Sequence, residues 1–494
     1  MSPGTLQEKG FFPHAFKGAA SACGGLKRLM EGRKTAGPES AVQALKGEKV
    51  LVVGLGQTGL SVARFLTRCG SRVVATDSKR EREIPGAETL ARMGVELKTG
   101  GHREEDFLSA GLIVVSPGVP GGHPYLEAAR EKGVLVVSDI ELAWRMLDCP
   151  VVAVGGTNGK STTTALLGTV FEKEGRKVFV GGNIGTPVIE HIEGVFDSGE
   201  KADVCVLEIS SFQLETTATF NPHIGILLNI TEDHLDRYSG FGEYARTKFR
   251  LFENQNPSDY AVVNMGDPVI AAHAPLLGGG RIVPFTVSGA LEEGLFLRNG
   301  DIVFRFFKEE EVYPLGSIRI KGLQNVENAM AVIAASRLSG VPKATVLSAL
   351  GEFEGLHHRM ELVREFGGVR YVDDSKGTNI GALAMALKGT EPPIILIAGG
   401  RDKGGDYGVL NPLVSEKVKL VLALGEAREK IRDAFCGSTE VLVVNSMEEA
   451  VSGARTMAAS GDTVLLSPAC SSFDMFRSYK ERGERFRALV EALA

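Results

Sequence analysis

The segment Gly155-Gly156-Thr157-Asn158-Gly159-Lys160-Ser161-Thr162 collects the residue types that hold a polyphosphate. Glycines let backbone N–H groups face anionic oxygens, and a helix that follows adds the partial positive charge of its N-terminus. Lys160 can reach terminal phosphates, and Ser161 or Thr162 can ligate Mg2+. The apolar run Val151-Val152-Ala153-Val154 precedes the loop, so it would join a strand to a helix. The spacing departs from G-x-x-x-x-G-K-[ST], because position 154 is Val and three residues separate Gly155 from Gly159. The reading is a variant phosphate loop, against the alternative of a Gly-rich turn with no ligand. A second loop, Gly54-Leu55-Gly56-Gln57-Thr58-Gly59, is a full G-x-G-x-x-G, and Asp77 lies 18 residues beyond it, near where a ribose-binding acid belongs. Alone, this loop fits either a dinucleotide or a tight strand-to-helix bend.

Carboxylate and imidazole candidates for a metal follow at strand ends: Glu208 in Leu207-Glu208-Ile209-Ser210-Ser211-Phe212, and His234 in Thr231-Glu232-Asp233-His234. A carboxylate at the C-terminal edge of a parallel sheet sits where nucleotides and their magnesium bind. Lys248 lies four residues from both Tyr244 and Phe252, which places it among aromatics on one helix face. Burial there would favour the neutral amine, which can take up CO2 and become an anionic carbamate ligand. The alternative is a lysine whose stem crosses the apolar face to reach water.

These loops need strands to hold them. Short Val/Ile/Leu runs alternate with longer amphipathic stretches: 50–53, 72–76, 112–116, 134–138, 151–154, 178–181, 204–208, 224–229 and 261–264, then 369–373, 394–398, 420–424, 441–444 and 464–467. Such continuous apolar strands separated by helices predict α/β architecture with parallel sheets covered on both faces. Residues 285–320 break the pattern and predict an antiparallel excursion with a turn at Asn299-Gly300-Asp301. At about 150 residues per domain, 494 residues point to three domains. Residues 1–45 show no sustained period and read as a tail.

A net charge of -6 gives no support for nucleic-acid binding. The six cysteines contain no C-x-x-C pair, which suggests a reducing compartment rather than a disulfide framework or a cysteine zinc site. There is no run of 18 apolar residues and no secretory signal, so no membrane association is expected and the location expected is cytoplasmic.

From Lys46 to Ala494 the chain resembles the Mur ligases. The resemblance rests on the phosphate loop, Ser116-Pro117-Gly118, Gly182-Asn183-Ile184-Gly185, Glu208-Ile209-Ser210-Ser211-Phe212-Gln213-Leu214, Thr231-Glu232-Asp233-His234, Asn325-Val326-Glu327-Asn328, His358-Arg359, Asp374-Ser375-Lys376-Gly377-Thr378-Asn379, Gly399-Gly400-Arg401-Asp402-Lys403 and Ser467-Pro468-Ala469-Cys470. The Ser-Ser-Phe-Gln-Leu, Asp-Asp-Ser-Lys and Ser-Pro-Ala-Cys segments match the members that add D-glutamate. The resemblance implies three domains after the tail: a Rossmann-like UDP-binding domain at 46–142, a central P-loop-type ATPase domain with a parallel sheet at 143–355, and a Rossmann-like domain at 356–494 that binds the amino acid and closes on ATP. It implies ATP-dependent attachment of D-glutamate to UDP-N-acetylmuramoyl-L-alanine through an acyl phosphate, in peptidoglycan precursor synthesis by a monomer.

By the same resemblance, Gly156, Thr157, Asn158, Gly159, Lys160, Ser161, Thr162, Asn325, Asn328, Arg359 and Asp374 bind ATP. Gln57, Thr58, Ser78, Lys79, Ser116 and Asn183 meet the UDP-substrate, so the first glycine loop holds a diphosphate and no NAD is expected. Thr378, Lys403, Ser472, Phe473 and Tyr479 hold D-glutamate, the last two through their backbone. Lys160, His234, Lys248 and Lys376 serve the chemistry. Two Mg2+ ions draw on Ser161, Thr162, Glu208, His234 and Lys248 as its carbamate. Two departures stand out: Ser78-Lys79 replaces a frequent Thr-Arg, losing the planar guanidinium fork, and Gly155-Gly156 replaces Thr-Gly, losing a hydroxyl.

Overall fold

A computed structural model describes residues 38–234, 237–306 and 308–493. In chain order the strands are β1 Lys49–Val53, β2 Arg72–Asp77, β3 Glu96–Thr99, β4 Leu112–Val115, β5 Leu135–Ser138, β6 Val151–Gly155, β7 Val178–Gly182, β8 Val204–Glu208, β9 Ile224–Leu227 and β10 Tyr260–Asn264. They continue with β11 Arg281–Thr286, β12 Gly294–Arg298, β13 Asp301–Phe306, β14 Glu309–Pro314, β15 Glu361–Phe366, β16 Val369–Asp373, β17 Ile394–Gly399, β18 Val418–Leu424, β19 Glu440–Val443 and β20 Thr463–Leu466. Every strand expected from an apolar run is present. β3, β11 and β15 were not expected; β3 and β15 are half-exposed edge strands whose mixed polarity gives little apolar signal.

The chain folds into two compact units. The first comprises residues up to 151, 179–222 and 250–254. Its five-stranded sheet has the order β3-β2-β1-β4-β5, parallel throughout. The order reverses between β1 and β4, so a crevice opens at their C-terminal ends, where the first glycine loop lies. One face packs Leu51, Val53, Ile113 and Val115 against Phe107 and Leu126. Glu141 is fully buried and accepts from the backbone N–H groups of Ala218, Thr219 and Phe220 (2.9–3.1 Å), while pairing with buried Arg145 at 3.1 Å.

The tail expectation needs correcting at its end. Residues Pro38–Leu45 form a helix that buries Ala41 and Leu45 completely, and the Leu45 carbonyl accepts from Ser71 Oγ at 2.8 Å. An eight-residue helix with two buried positions gives too short a period to stand out in sequence. The rest of the expected tail lies outside the described residues.

The second unit comprises 152–178, 223–249 and 255–494. One run of strands has the order β14-β13-β12-β11-β10-β9-β6. It is parallel from β6 to β12 and antiparallel from β12 to β14, the expected excursion. The turn between β12 and β13 holds Asn299 at φ 54 and Gly300 at φ 82, as a two-residue hairpin loop requires. A six-stranded sheet, β15-β16-β20-β17-β18-β19, is parallel except for β15. Along β17, Ile394, Leu396 and Ala398 enter one core and Ile395 and Ile397 the other, so both faces are covered and the strand reads as unbroken apolar sequence. No helix among the described residues is long and apolar enough to cross a membrane.

Candidate active site

In the second unit β6 runs into the glycine-rich loop that ends at Gly159, and the helix Lys160–Lys173 follows. Gly159 takes φ +84 as the residue before the helix, and a Cβ there would lie 2.4 Å from Asn328 Oδ1, so only glycine fits. The loop is tied from below. Asn229 accepts from the Asn158 N–H at 2.8 Å through Oδ1 and donates to the Asn158 carbonyl at 3.1 Å. Thr157 Oγ1 donates to the Thr231 carbonyl at 3.1 Å and lies 3.0 Å from the Tyr244 hydroxyl. Asn328 Oδ1 accepts from Thr163 Oγ1 at 3.2 Å, and Asn328 Nδ2 donates to Asn325 Oδ1 at 3.1 Å.

Two lysines converge on one carbonyl of this loop. Lys160 Nζ donates to Gly156 O and Thr157 O, both at 2.9 Å, and buried Lys248 Nζ donates to Gly156 O at 2.7 Å. Lys248 also lies 4.6 Å from the centre of the Tyr244 ring, as expected. The expected α-helical spacing to Phe252 does not hold: the helix ends at Phe249 and a 3-10 turn, Arg250–Phe252, carries Phe252.

The second unit brings residues of its C-terminal portion to the same loop. Arg359 Nη2 donates to Ser161 Oγ at 2.7 Å. Asn379 caps the helix Ile380–Gly389 and donates through Nδ2 to Asn158 Oδ1 at 3.3 Å and to Asp233 Oδ2 at 3.0 Å. Lys403 Nζ pairs with Asp233 Oδ1 at 3.1 Å. Burial opposes ionisation of Asp233, but Lys403 and the adjacent His234 overcome it and hold the carboxyl below its ordinary value. His234 itself sits at φ 55 with Nε2 3.6 Å from Asp233 Oδ2.

Asp374 is buried, which pushes its pKa up to about 7 against the hydrogen bond from Ser467 Oγ (2.8 Å) and the nearby Arg359 charge. Lys376 Nζ rests 3.9 Å from the centre of the Tyr479 ring. A cavity of about 1050 Å³ is lined by Asn158, Gly159, Thr162, Asn325, Arg359 and Asp374, six of the eleven residues expected to bind ATP, and by Lys376, expected to serve the chemistry. Of the residues expected at D-glutamate, Thr378 is half-buried, Ser472 buried and Phe473 exposed; the Tyr479 carbonyl accepts from Ser375 Oγ at 2.8 Å.

The first unit holds its own group. Ser116 Oγ donates to Gly54 O at 2.7 Å, and a Cβ on Gly59 would come within 1.8 Å of that carbonyl, so Gly59 permits the helix to touch the loop. A Cβ on Gly56 would meet nothing within 4 Å, leaving an open approach to the backbone beside Gln57 and Thr58. Asp77 accepts from the N–H of Leu55 at 2.6 Å and of Lys79 at 2.8 Å, so its carboxylate braces the glycine loop. Ser78 and Lys79 are exposed beside it. At the end of β8, buried Glu208 accepts from Asn183 Nδ2 at 2.9 Å.

Several residues of the candidate site escaped the sequence reading. Asn229, Asp233 and Asn379 carried no separate signal, although the last two lie inside quoted motifs. Arg482 is 1% exposed and donates to the Ser375 hydroxyl and carbonyl and to the Cys470 carbonyl (2.7–3.1 Å), bracing the Ser375–Lys376 loop. Burial lowers its pKa to about 10. Its neighbourhood, Lys480-Glu481-Arg482-Gly483-Glu484-Arg485, looks in sequence like a solvated helix face.

The Mur ligase MurD-like N-terminal domain matches residues 48–138, the Mur ligase middle domain 154–336, and the Mur ligase glutamate ligase domain 358–470. A UDP-N-acetylmuramoylalanine–D-glutamate ligase of Geobacter metallireducens is 49% identical over 450 residues, 91% of this chain and 98% of the relative. Among solved structures, a pseudomurein peptide ligase type C from Methanothermus fervidus has a TM-score of 0.56 at 20% identity, covering 90% of this chain and 99% of its own. The MurF ligase from Thermotoga maritima, solved with ADP, has a TM-score of 0.54 at 16% identity, covering 92% and 97%. These two share the fold. With three domain matches and close identity sustained over 91% of its length, the chain belongs to the Mur ligase family.

Proposed function

We propose that this chain is an ATP-dependent amide ligase that joins D-glutamate to UDP-N-acetylmuramoyl-L-alanine. The observation that carries the reading is the convergence of Arg359, Asn379 and Lys403 with Ser161, Asn158 and Asp233 around a glycine-lysine loop. The relative at 49% identity bears the name of that reaction, and a relative of the same fold was solved with ADP.

The alanyl carboxylate attacks the γ-phosphorus of ATP, ADP leaves, and an acyl phosphate forms. The amine of D-glutamate then attacks the acyl carbon, a proton is lost from nitrogen, and phosphate departs. Both steps bring anions together, so positive charge must be held in place beforehand. Lys160 is folded onto two neutral carbonyls of the loop; a phosphate oxygen is a stronger acceptor and would draw its ammonium outward. Arg359 reaches the same helix start through Ser161. Lys376 provides a cation for the acyl phosphate. Lys403 is engaged with Asp233, so a D-glutamate carboxylate would share or replace that partner.

In the second unit the hydroxyl oxygens of Ser161 and Thr162 and the imidazole nitrogen of His234, and in the first unit the carboxylate of Glu208, are donors that Mg2+ accepts, and the ion would supply charge neutralisation at the phosphates. Lys248 joins that set as a carbamate; as an ammonium it braces Gly156 instead. In the first unit, the open backbone around Gly56, with Gln57, Thr58 and Ser116, takes the UDP diphosphate, with Ser78, Lys79 and Asn183 in further contacts.

The test is phosphate release from ATP with UDP-N-acetylmuramoyl-L-alanine and a panel of amino acids. Release that depends on D-glutamate is expected; release indifferent to the amino acid overturns the assignment.

A further inference from the structure

Cys149 and Cys205 stand 56 residues apart in sequence, yet their Sγ atoms lie 3.2 Å apart in the first unit. Their surroundings differ. Cys205 is the second residue of β8 and is fully buried, with its N–H donated to the Pro150 carbonyl at 3.0 Å. Cys149 lies in the bend between the helix Asp139–Trp144 and β6 and is half-buried. It lines a cavity of about 520 Å³ together with Met146, His191, Phe196 and Lys201. One thiol thus faces a space that admits a small molecule, and its neighbour is sheltered behind it.

A disulfide needs an S–S distance of about 2.04 Å, so closure asks for about 1.2 Å of sulfur movement. The Cys205–Pro150 hydrogen bond already keeps the two backbones adjacent, and the bend at Cys149 can adjust more readily than a paired strand.

We propose that Cys149 and Cys205 form a dithiol modification site that low-molecular-weight disulfides convert, reversibly, into an intramolecular disulfide. The Cys149 thiol gives its proton to solvent and attacks one sulfur of the small disulfide; the S–S bond breaks and the departing thiolate takes up a proton. Cys205, losing its own proton, then attacks Cys149 Sγ and expels the second small thiol. Two protein thiols are oxidised and one small disulfide is reduced to two thiols, so no other oxidant is required. The product would link the segment ahead of β6 to β8 and shrink the conformational freedom of the unfolded chain.

The full chain is incubated, folded, with oxidised glutathione and then digested and weighed. The expected product is a peptide pair joining Cys149 to Cys205, lighter by two hydrogens, with no glutathione on either residue, and lost on adding dithiothreitol. Exposed Cys436 provides an internal control, since it should acquire glutathione in every sample. In Cys205→Ala the resolving thiol is absent, so a stable glutathione adduct should accumulate on Cys149. In Cys149→Ser, buried Cys205 should remain unmodified. The oxidised wild type should also melt at a higher temperature than the reduced one, a difference missing in Cys149→Ser. If Cys436 is modified while Cys149 and Cys205 both remain alkylatable, or if wild-type Cys149 keeps its glutathione as Cys205→Ala does, the proposal fails.

Discussion

Asp374 offers a quantitative test of how the site is built. Its carboxyl is buried and carries a pKa of about 7, against 3.8 for an ordinary aspartate, because desolvation outweighs the Ser467 hydroxyl and the Arg359 charge. A folded value above the unfolded one means that the native state holds the proton more tightly. The group therefore costs nothing below about pH 3, where both states are protonated, and destabilises progressively until pH exceeds the folded value. One unit corresponds to about 1.4 kcal/mol, so the full penalty is roughly 4 kcal/mol above pH 8, of which about 2–3 kcal/mol accrues between pH 5 and pH 8. Asp374→Asn keeps the shape and the acceptor for Ser467 but cannot ionise. Without nucleotide, the stability of the variant relative to wild type should rise by that 2–3 kcal/mol between the two pH values, read from denaturant or thermal unfolding. A difference that is the same at pH 5 and pH 8 would refute the desolvated carboxyl. One that moves the other way would mean that Arg359 dominates.

Further outcomes follow from the same geometry. Gly159→Ala puts a Cβ at φ +84, 2.4 Å from Asn328 Oδ1; strain of about 1–2 kcal/mol and a disturbed Asn328–Thr163 bond worth about 1 kcal/mol should lower both thermal stability and ATP affinity. Calorimetric titration with ATP that matches wild type would contradict this. Lys248→Ala removes the donor to Gly156 O and should reduce phosphate release by about a hundredfold or more, with partial recovery on adding formate or acetate; full activity without any carboxylate would remove Lys248 from its assigned role. Glu141→Ala strips the acceptor from three backbone N–H groups and the carboxylate from buried Arg145, costing about 3–5 kcal/mol. A loss below about 1 kcal/mol in equilibrium unfolding would show that Glu141 is dispensable to the first unit.

Much of the architecture was legible because its signals are local. The strand β17 reads as six apolar residues because both faces of its sheet are covered. The Asn299-Gly300 turn and the glycines around Lys160 announce themselves because few residue types adopt their backbone angles. Edge strand β3 was missed for the converse reason: half of its surface meets water, and Glu96-Leu97-Lys98-Thr99 has no apolar excess to detect. The helix Pro38–Leu45 was missed because two buried side chains make no period.

Motif recognition marked Asp374, Lys376 and Lys403 as belonging to a site, but it did not say what they would touch. Sequence alone determined the α/β class, the glycine-rich turn after β6 and the family, since strand hydrophobicity, turn chemistry and motif spacing are written within a few residues of one another. Only the tertiary structure decided that Asn379 meets Asn158 across 221 positions, that Lys403 meets Asp233 across 170, and that Cys149 meets Cys205 across 56. It also decided that Arg482, in a run of charged residues, is buried. Such contacts depend on how whole sheets and helices pack, and burial and electrostatic environment arise from that packing, so no short stretch of chain records them.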